Sequence, residues 1–148
     1  MTTESEPMLL DTNVLVYALD EESPHHVPSR AVLERASRGD GDYRLSSQIL
    51  AEFFAVVTNP RRVRAPRAAL EAVEAIEAFL AMPGISLLES EPDVVSRWLT
   101  MVRESPVAGP NVFDLQLAAT ALEAGVSKIC TFNVAHFQRI AGMQVVTP

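Results

Sequence analysis

A chain of 148 residues with 48% hydrophobic content is long enough to bury a core of its own, which excludes a disordered chain. Its formal charge of -7 excludes a general nucleic-acid coat, and no apolar run approaches the ~20 residues of a membrane helix. The single cysteine, Cys130, has no internal disulfide partner and fits a reducing cytosol.

Residues 1–7 read as a flexible, polar and acidic tail, unlike a signal peptide, and 8–148 as the folded domain. Residues 8–11 form a short buried strand ending in Asp11, and 13–19 a short apolar helix. The segment 20–28 is a polar loop carrying His25 and His26, which read as exposed. A helix over 29–37 stops at Gly39-Asp40-Gly41, and 43–45 is a second strand. Ser46 or Ser47 caps a helix that runs to about Thr58 and ends at Asn59-Pro60. Pro66 suits the first turn of the next helix, whose apolar positions are Leu70, Val73, Ile76 and Leu80. Pro83-Gly84 stops it, and 85–88 is a strand.

Pro92 opens a helix through Val94, Val95, Trp98, Leu99 and Val102, with Trp98 as core or subunit contact. After a loop at 105–110, a helix over 112–124 ends before Gly125, a residue suited to a left-handed cap. A fourth strand lies within 126–132, a short helix at 134–140, and a fifth strand at 143–146. Cys130 reads as an inert buried thiol. Short strands alternating with helices predict an α/β fold, a three-layer α/β/α sandwich around a short, mainly parallel sheet. Ligands of such sheets bind beyond the carboxyl ends of the strands. Asp11 ends one strand and Asn133 follows another, so both fall on that rim.

Three carboxylates stand in apolar surroundings. Asp11 ends Met8-Leu9-Leu10, Glu52 sits between Leu50-Ala51 and Phe53-Phe54, and Asp114 between Val112-Phe113 and Leu115. An unpaired buried carboxylate costs several kcal/mol even after relaxation. Glu52 shares a face with Gln48, Ile49, Ala55 and Val56, and Asp114 with Leu117, Ala118 and Ala121, so both lean inward. Each acid also has a local explanation. Asp11 can cap the following helix, Asp114 can lie in the first turn of a helix capped by Asn111, and Glu52 can pair with Arg30 or Arg97. A shared cation accounts for all three at once. An all-oxygen set suits Mg²⁺ or Mn²⁺, and no Cys/His spacing suggests zinc. Arg61, Arg62, Arg64 and Arg67 form a basic segment, either a solvated loop or a phosphate-contacting rim. If each contacted a phosphate, single-strand affinity would fall with a log–log salt slope of about -3, roughly 50-fold between 50 and 200 mM salt. Ser46 and Ser47 have no His/Asp pair spaced to activate them as nucleophiles.

Four blocks in order resemble the PIN-domain family. They are Leu9-Leu10-Asp11-Thr12-Asn13-Val14-Leu15-Val16-Tyr17, Ser47-Gln48-Ile49-Leu50-Ala51-Glu52-Phe53, the run from Asn111 to Ala121, and the run from Ile129 to Phe137. The compact length most resembles the VapC-type toxins of bacterial toxin–antitoxin pairs. The resemblance implies a Mg²⁺-dependent endoribonuclease that leaves a 5′ phosphate. Asp11, Glu52 and Asp114 match the metal-binding acids, Thr12 a hydroxyl beside the first acid, and Asn133 a supporting fourth position. It further implies an RNA substrate, a small VapB-like antitoxin, a homodimer and a cytoplasmic location. The fourth block departs from the pattern, because it holds no carboxylate at Asn133 or at His136, and a second metal is in doubt on that account. Two other activities remain open on these residues. One is a PIN-like RNA- or protein-binding module that has lost catalysis; the other is a metal-dependent phosphatase or deoxyribonuclease.

Overall fold

The computed structural model describes residues 5–89 and 91–148. Five parallel strands form one sheet in the order β3-β2-β1-β4-β5. They are β1 (Met8–Leu10), β2 (Tyr43–Leu45), β3 (Ile85–Leu87), β4 (Lys128–Cys130) and β5 (Gln144–Val146). The helices are α1 (Thr12–Ala18), α2 (His26–Ser37), α3 (Ser47–Val57), α4 (Ala69–Ala81), α5 (Val94–Glu104), α6 (Val112–Glu123) and α7 (Val134–Gln138). A 3-10 turn, Gly109–Asn111, leads into α6. α1 packs on α2 and α3, and α3 on α4; α5 packs on α6, and α6 on α7. These two groups of helices are the outer layers of an α/β/α sandwich. Among the described residues no helix is long and apolar enough to cross a membrane.

Burial on both faces explains why the central strands read as apolar runs rather than alternating ones. Leu9, Leu10, Leu45, Ile49, Phe53, Val126 and Ile129 are wholly buried. The helix starts follow side-chain chemistry. Asp11 caps α1 by accepting from the Thr12 backbone N–H at 2.8 Å, and Ser46 caps α3 by accepting from Ile49 N–H at 3.2 Å. Gly125, at φ +77°, closes α6 as its position predicts. Gly84 has a different reason to be glycine. A Cβ there would lie 2.8 Å from the Cα and carbonyl oxygen of Ala36, and its N–H donates to that oxygen at 2.8 Å.

Several element bounds differ from the sequence reading. α2 begins at His26 rather than at residue 29. Pro28 falls in its first turn, where a missing N–H breaks no helical hydrogen bond. α4 begins at Ala69, not at Pro66, because Glu71 reaches back to accept from Ala68 N–H at 3.0 Å and fixes the start there. Of the expected tail, residues 1–4 lie outside the described residues. Glu6 within it pairs with Lys128 Nζ at 2.9 Å, on β4.

Candidate active site

The chain passes from β1 outward to β2 and β3, then returns to the other side of β1 for β4 and β5. The β1/β4 junction is therefore the point where strand order reverses, the usual ligand crevice of an open parallel sheet. Asp11 leaves β1 there and Thr131 leaves β4, tied by a bond from Asp11 N–H to the Cys130 carbonyl at 3.0 Å.

Asp11 is buried, with 7% of its surface exposed. One carboxylate oxygen accepts from Thr12 N–H and the other from the Thr131 hydroxyl, both at 2.8 Å. Thr131 Oγ1 in turn accepts from Asn133 N–H at 2.9 Å and from the Asn13 amide at 3.3 Å. Burial pushes the Asp11 pKa above the usual carboxylate value; the two hydrogen bonds oppose this, and the charges of Glu52 and Asp114 add to it.

Glu52 is exposed, contrary to the inward placement expected from its neighbours. The buried stripe of α3 is Ile49, Phe53 and Val57, and Glu52 lies off that stripe and lines the crevice instead. Glu52 is nonetheless held at both oxygens, by the Thr12 hydroxyl at 2.9 Å and by the Gln48 amide at 3.1 Å. Gln48 also donates to the Phe113 carbonyl at 3.3 Å, linking α3 to the start of α6. Neither arginine considered as a partner reaches Glu52: Arg30 pairs with Glu34 and Arg97 with Glu123.

Asp114 is half-buried in the first turn of α6, and Asn111 makes no side-chain capping bond. Its Oδ2 lies 3.1 Å from His136 Nδ1, on α7. Desolvation raises the Asp114 pKa; His136 pulls it down and Glu52 adds to the rise. Asp11, Glu52 and Asp114 line a single cleft of about 480 Å³, together with Thr12, Asn133 and His136.

No three Asp, Glu, His or Cys side chains among the described residues are drawn together as a finished metal-ligand set. The donor chemistry still fits a hard divalent cation. Three carboxylates share one opening, the charge of Glu52 raises the proton affinity of Asp11 and Asp114, and among the described residues none of the three is paired with an arginine.

Of the four arginines in the basic segment, Arg62 lines the cleft. Arg64 pairs with Glu22 at 3.2 Å, and both of these side chains are exposed. Arg61 and Arg67 are not among the cleft residues. The paired histidines are more engaged than a solvated loop predicts. The His25 ring stacks on Phe132 with centroids 4.3 Å apart, and His26 Nδ1 lies 2.9 Å from the Tyr17 carbonyl oxygen. Burial pushes the Cys130 thiol up to about 12, which agrees with an inert core cysteine.

Gln48, Thr131 and the contact of His136 with Asp114 escaped the sequence reading. The Gln48–Glu52 spacing of one helical turn carries a local signal. Nothing local announces that Thr131 meets a carboxylate 120 residues away.

The family model described as PIN domain matches residues 8–143. Ribonuclease VapC24 of Mycobacterium tuberculosis is 29% identical over 139 residues, 94% of each chain. Ribonuclease VapC43 of the same species is 33% identical over 116 residues, 78% of this chain and 79% of that one. The crystal structure of VapBC2 from Rickettsia felis, bound to a promoter DNA fragment, shares the fold with a TM-score of 0.68 at 18% identity, covering 95% of this chain and 98% of that one. The chain belongs to the PIN-domain family, among the VapC ribonucleases.

Proposed function

We propose that this protein is an endoribonuclease that cuts RNA phosphodiesters at the cleft beyond β1 and β4 with the help of a carboxylate-held Mg²⁺ or Mn²⁺. We also propose that it is the toxin of a VapBC-type pair. The observation that carries the reading is the convergence of Asp11, Glu52 and Asp114, from three separate elements, on one opening at the switch point of the sheet.

Asp11 and Asp114 are the residues that would hold the ion, with Glu52 at the rim. When bound, the ion would offset charge on the phosphate and make water a stronger nucleophile. The chain's own groups account for the rest. Thr12 N–H and Thr131 fix the Asp11 carboxylate in one orientation, so its remaining lone pairs need no reorganisation. Glu52, exposed but held by Thr12 and Gln48, is placed to orient the attacking water and accept its proton. Attack at phosphorus in line with the sugar 3′ oxygen breaks that P–O bond; the 3′ oxygen leaves as a hydroxyl, protonated from solvent, and the phosphate stays on the 5′ oxygen of the downstream fragment. Asn133 and Arg62 line the cleft where they can hydrogen-bond phosphate oxygens.

The relatives are named as ribonucleases and the Rickettsia neighbour is a VapBC assembly. That likeness supports an RNA substrate and a small VapB-like antitoxin as partner, and a homodimeric assembly and a cytoplasmic location complete the proposal. A basic antitoxin side chain reaching the three acids would complement their charge. The test pairs purified protein with its Asp11→Asn form on cellular RNA, with Mg²⁺ or Mn²⁺, followed by mapping of the cut ends. Divalent-dependent cleavage that disappears in the variant is expected. Equal behaviour of the two proteins, or no cleavage with either ion, overturns the reading. The absence of a fourth carboxylate favours a non-catalytic binding module as the second reading. Titration with Mn²⁺ separates the two, since the module would bind the ion weakly or not at all.

A further inference from the structure

A second cavity, of about 770 Å³, lies among α5, the 3-10 turn, α6 and α7. It meets the acid cleft at Asp114 and His136, which line both spaces. Met101, Leu115, Leu122 and Ile140 give it an apolar floor. Its remaining charged lining is Arg97, Glu104 and Arg139. Arg97 is held by Glu123 at 3.3 Å, whereas Arg139 makes no ion pair among the described residues. Arg62 lines the cleft and not this cavity; Arg139 lines this cavity and not the cleft.

We infer that this cavity seats the RNA nucleotide flanking the scissile phosphate, with its base on the apolar floor and its outer phosphate, one step beyond the scissile one, on Arg139. The inference rests on the endoribonuclease reading. An endonuclease must accommodate a strand that continues past the cut, and a cavity opening directly onto the acids lies on that path. Its volume falls within the ~300–1,000 Å³ of ordinary small-ligand sites. An apolar surface takes an unstacked base and a guanidinium takes a phosphate, the usual division of labour in single-strand binding. Arg139 then serves one side of the acids as Arg62 serves the other, so positive charge flanks a centre that would otherwise repel the strand.

The test uses a 20-nucleotide single-stranded RNA containing the mapped cut site and a dinucleoside phosphate of the same two residues. Arg139→Ala should raise KM on the long strand with kcat unchanged, and leave the dinucleotide reaction alone. Its binding, measured in the Asp11→Asn background, should lose about 0.7 from the salt slope, so its deficit relative to the parent shrinks about 2.6-fold between 50 and 200 mM salt. Ala108 is exposed on the cavity wall, and Ala108→Glu should weaken the long strand similarly without threatening the fold. Arg103→Ala, exposed on α5 and outside both linings, is the control for non-specific charge. If Arg139→Ala matches Arg103→Ala on the long strand, or Ala108→Glu cuts it normally, the cavity does not carry RNA. A cavity that instead holds an antitoxin segment gives that second result. Failure of the nuclease reading looks different, because then wild type and Asp11→Asn treat every RNA alike.

Discussion

Ionising Asp11 works against folding. Its carboxyl is buried beside two other acids, and its pKa is raised by desolvation first and by their charges after. The native state therefore holds the proton more tightly than the unfolded chain, whose carboxyl titrates near 3.9. The stability this group contributes is complete below that value and is lost as pH rises through the raised native value. Asp11→Asn should thus melt higher than wild type at pH 7.5 in EDTA, and the difference should vanish near pH 3. Saturating Mn²⁺ should reverse the order, since an ion at 100 times its Kd adds about 2.7 kcal/mol to a protein that binds it only when folded. Thermal melts at the two pH values, with and without the ion, read all of this. A variant that never exceeds wild type in EDTA would show that Asp11 is not under electrostatic stress.

At the level of elements, Gly84 lies directly before β3 and against Ala36 of α2, with no room for a Cβ. The obstacle to a side chain is backbone, which cannot rotate away. Gly84→Ala should cost on the order of 1–3 kcal/mol, the usual penalty of overpacking, visible as a lowered urea midpoint with little change in slope. Ala36→Gly in the same chain should recover little, because the clash is with main-chain atoms. The elements were largely legible beforehand because their signals are local. Apolar runs mark β1 and β4, the Ser46-Ser47 pair marks the start of α3, where Ser46 is the cap, and Gly125 marks the end of α6. The misplaced starts of α2 and α4 have local causes, Pro28 in a first turn and the Glu71 cap on Ala68, whereas the direction in which Glu52 faces is decided by tertiary contacts. Glu52 has apolar neighbours on both sides, yet the buried stripe of α3 passes through Ile49, Phe53 and Val57 and leaves it in the opening. Two of the acids proposed for the site were recognised from burial that only Asp11 has in full. Thr131 was invisible because its partner is distant in the chain.

For the molecule as a whole, charge placement outweighs net charge. The four-arginine rim implies a salt slope of about -3, but Arg62 alone of the four lines the cleft and Arg64 is paired with Glu22. With Arg62 and Arg139 as the phosphate contacts, the slope for a single strand becomes about -1.4, roughly a 7-fold loss between 50 and 200 mM salt. Fluorescence anisotropy on the Asp11→Asn protein distinguishes the two. A slope near -3 would restore Arg61, Arg64 and Arg67 as contacts, and a flat one would remove arginine from RNA binding altogether.

β1 acquires β4, its second neighbour, only when residues 128–130 have been synthesised. Translation delivers residues at roughly 5–20 per second, amino end first. A ribosome therefore carries Asp11, Glu52 and Asp114 for about 1–3 seconds of further synthesis while β1 still has an open flank and Asp11 lacks the Thr131 hydroxyl. On the proposed reading, a nascent or prematurely released polypeptide ending before β4 would lack the ordered acid cleft, and competence would arrive only once β4 is in place beside β1.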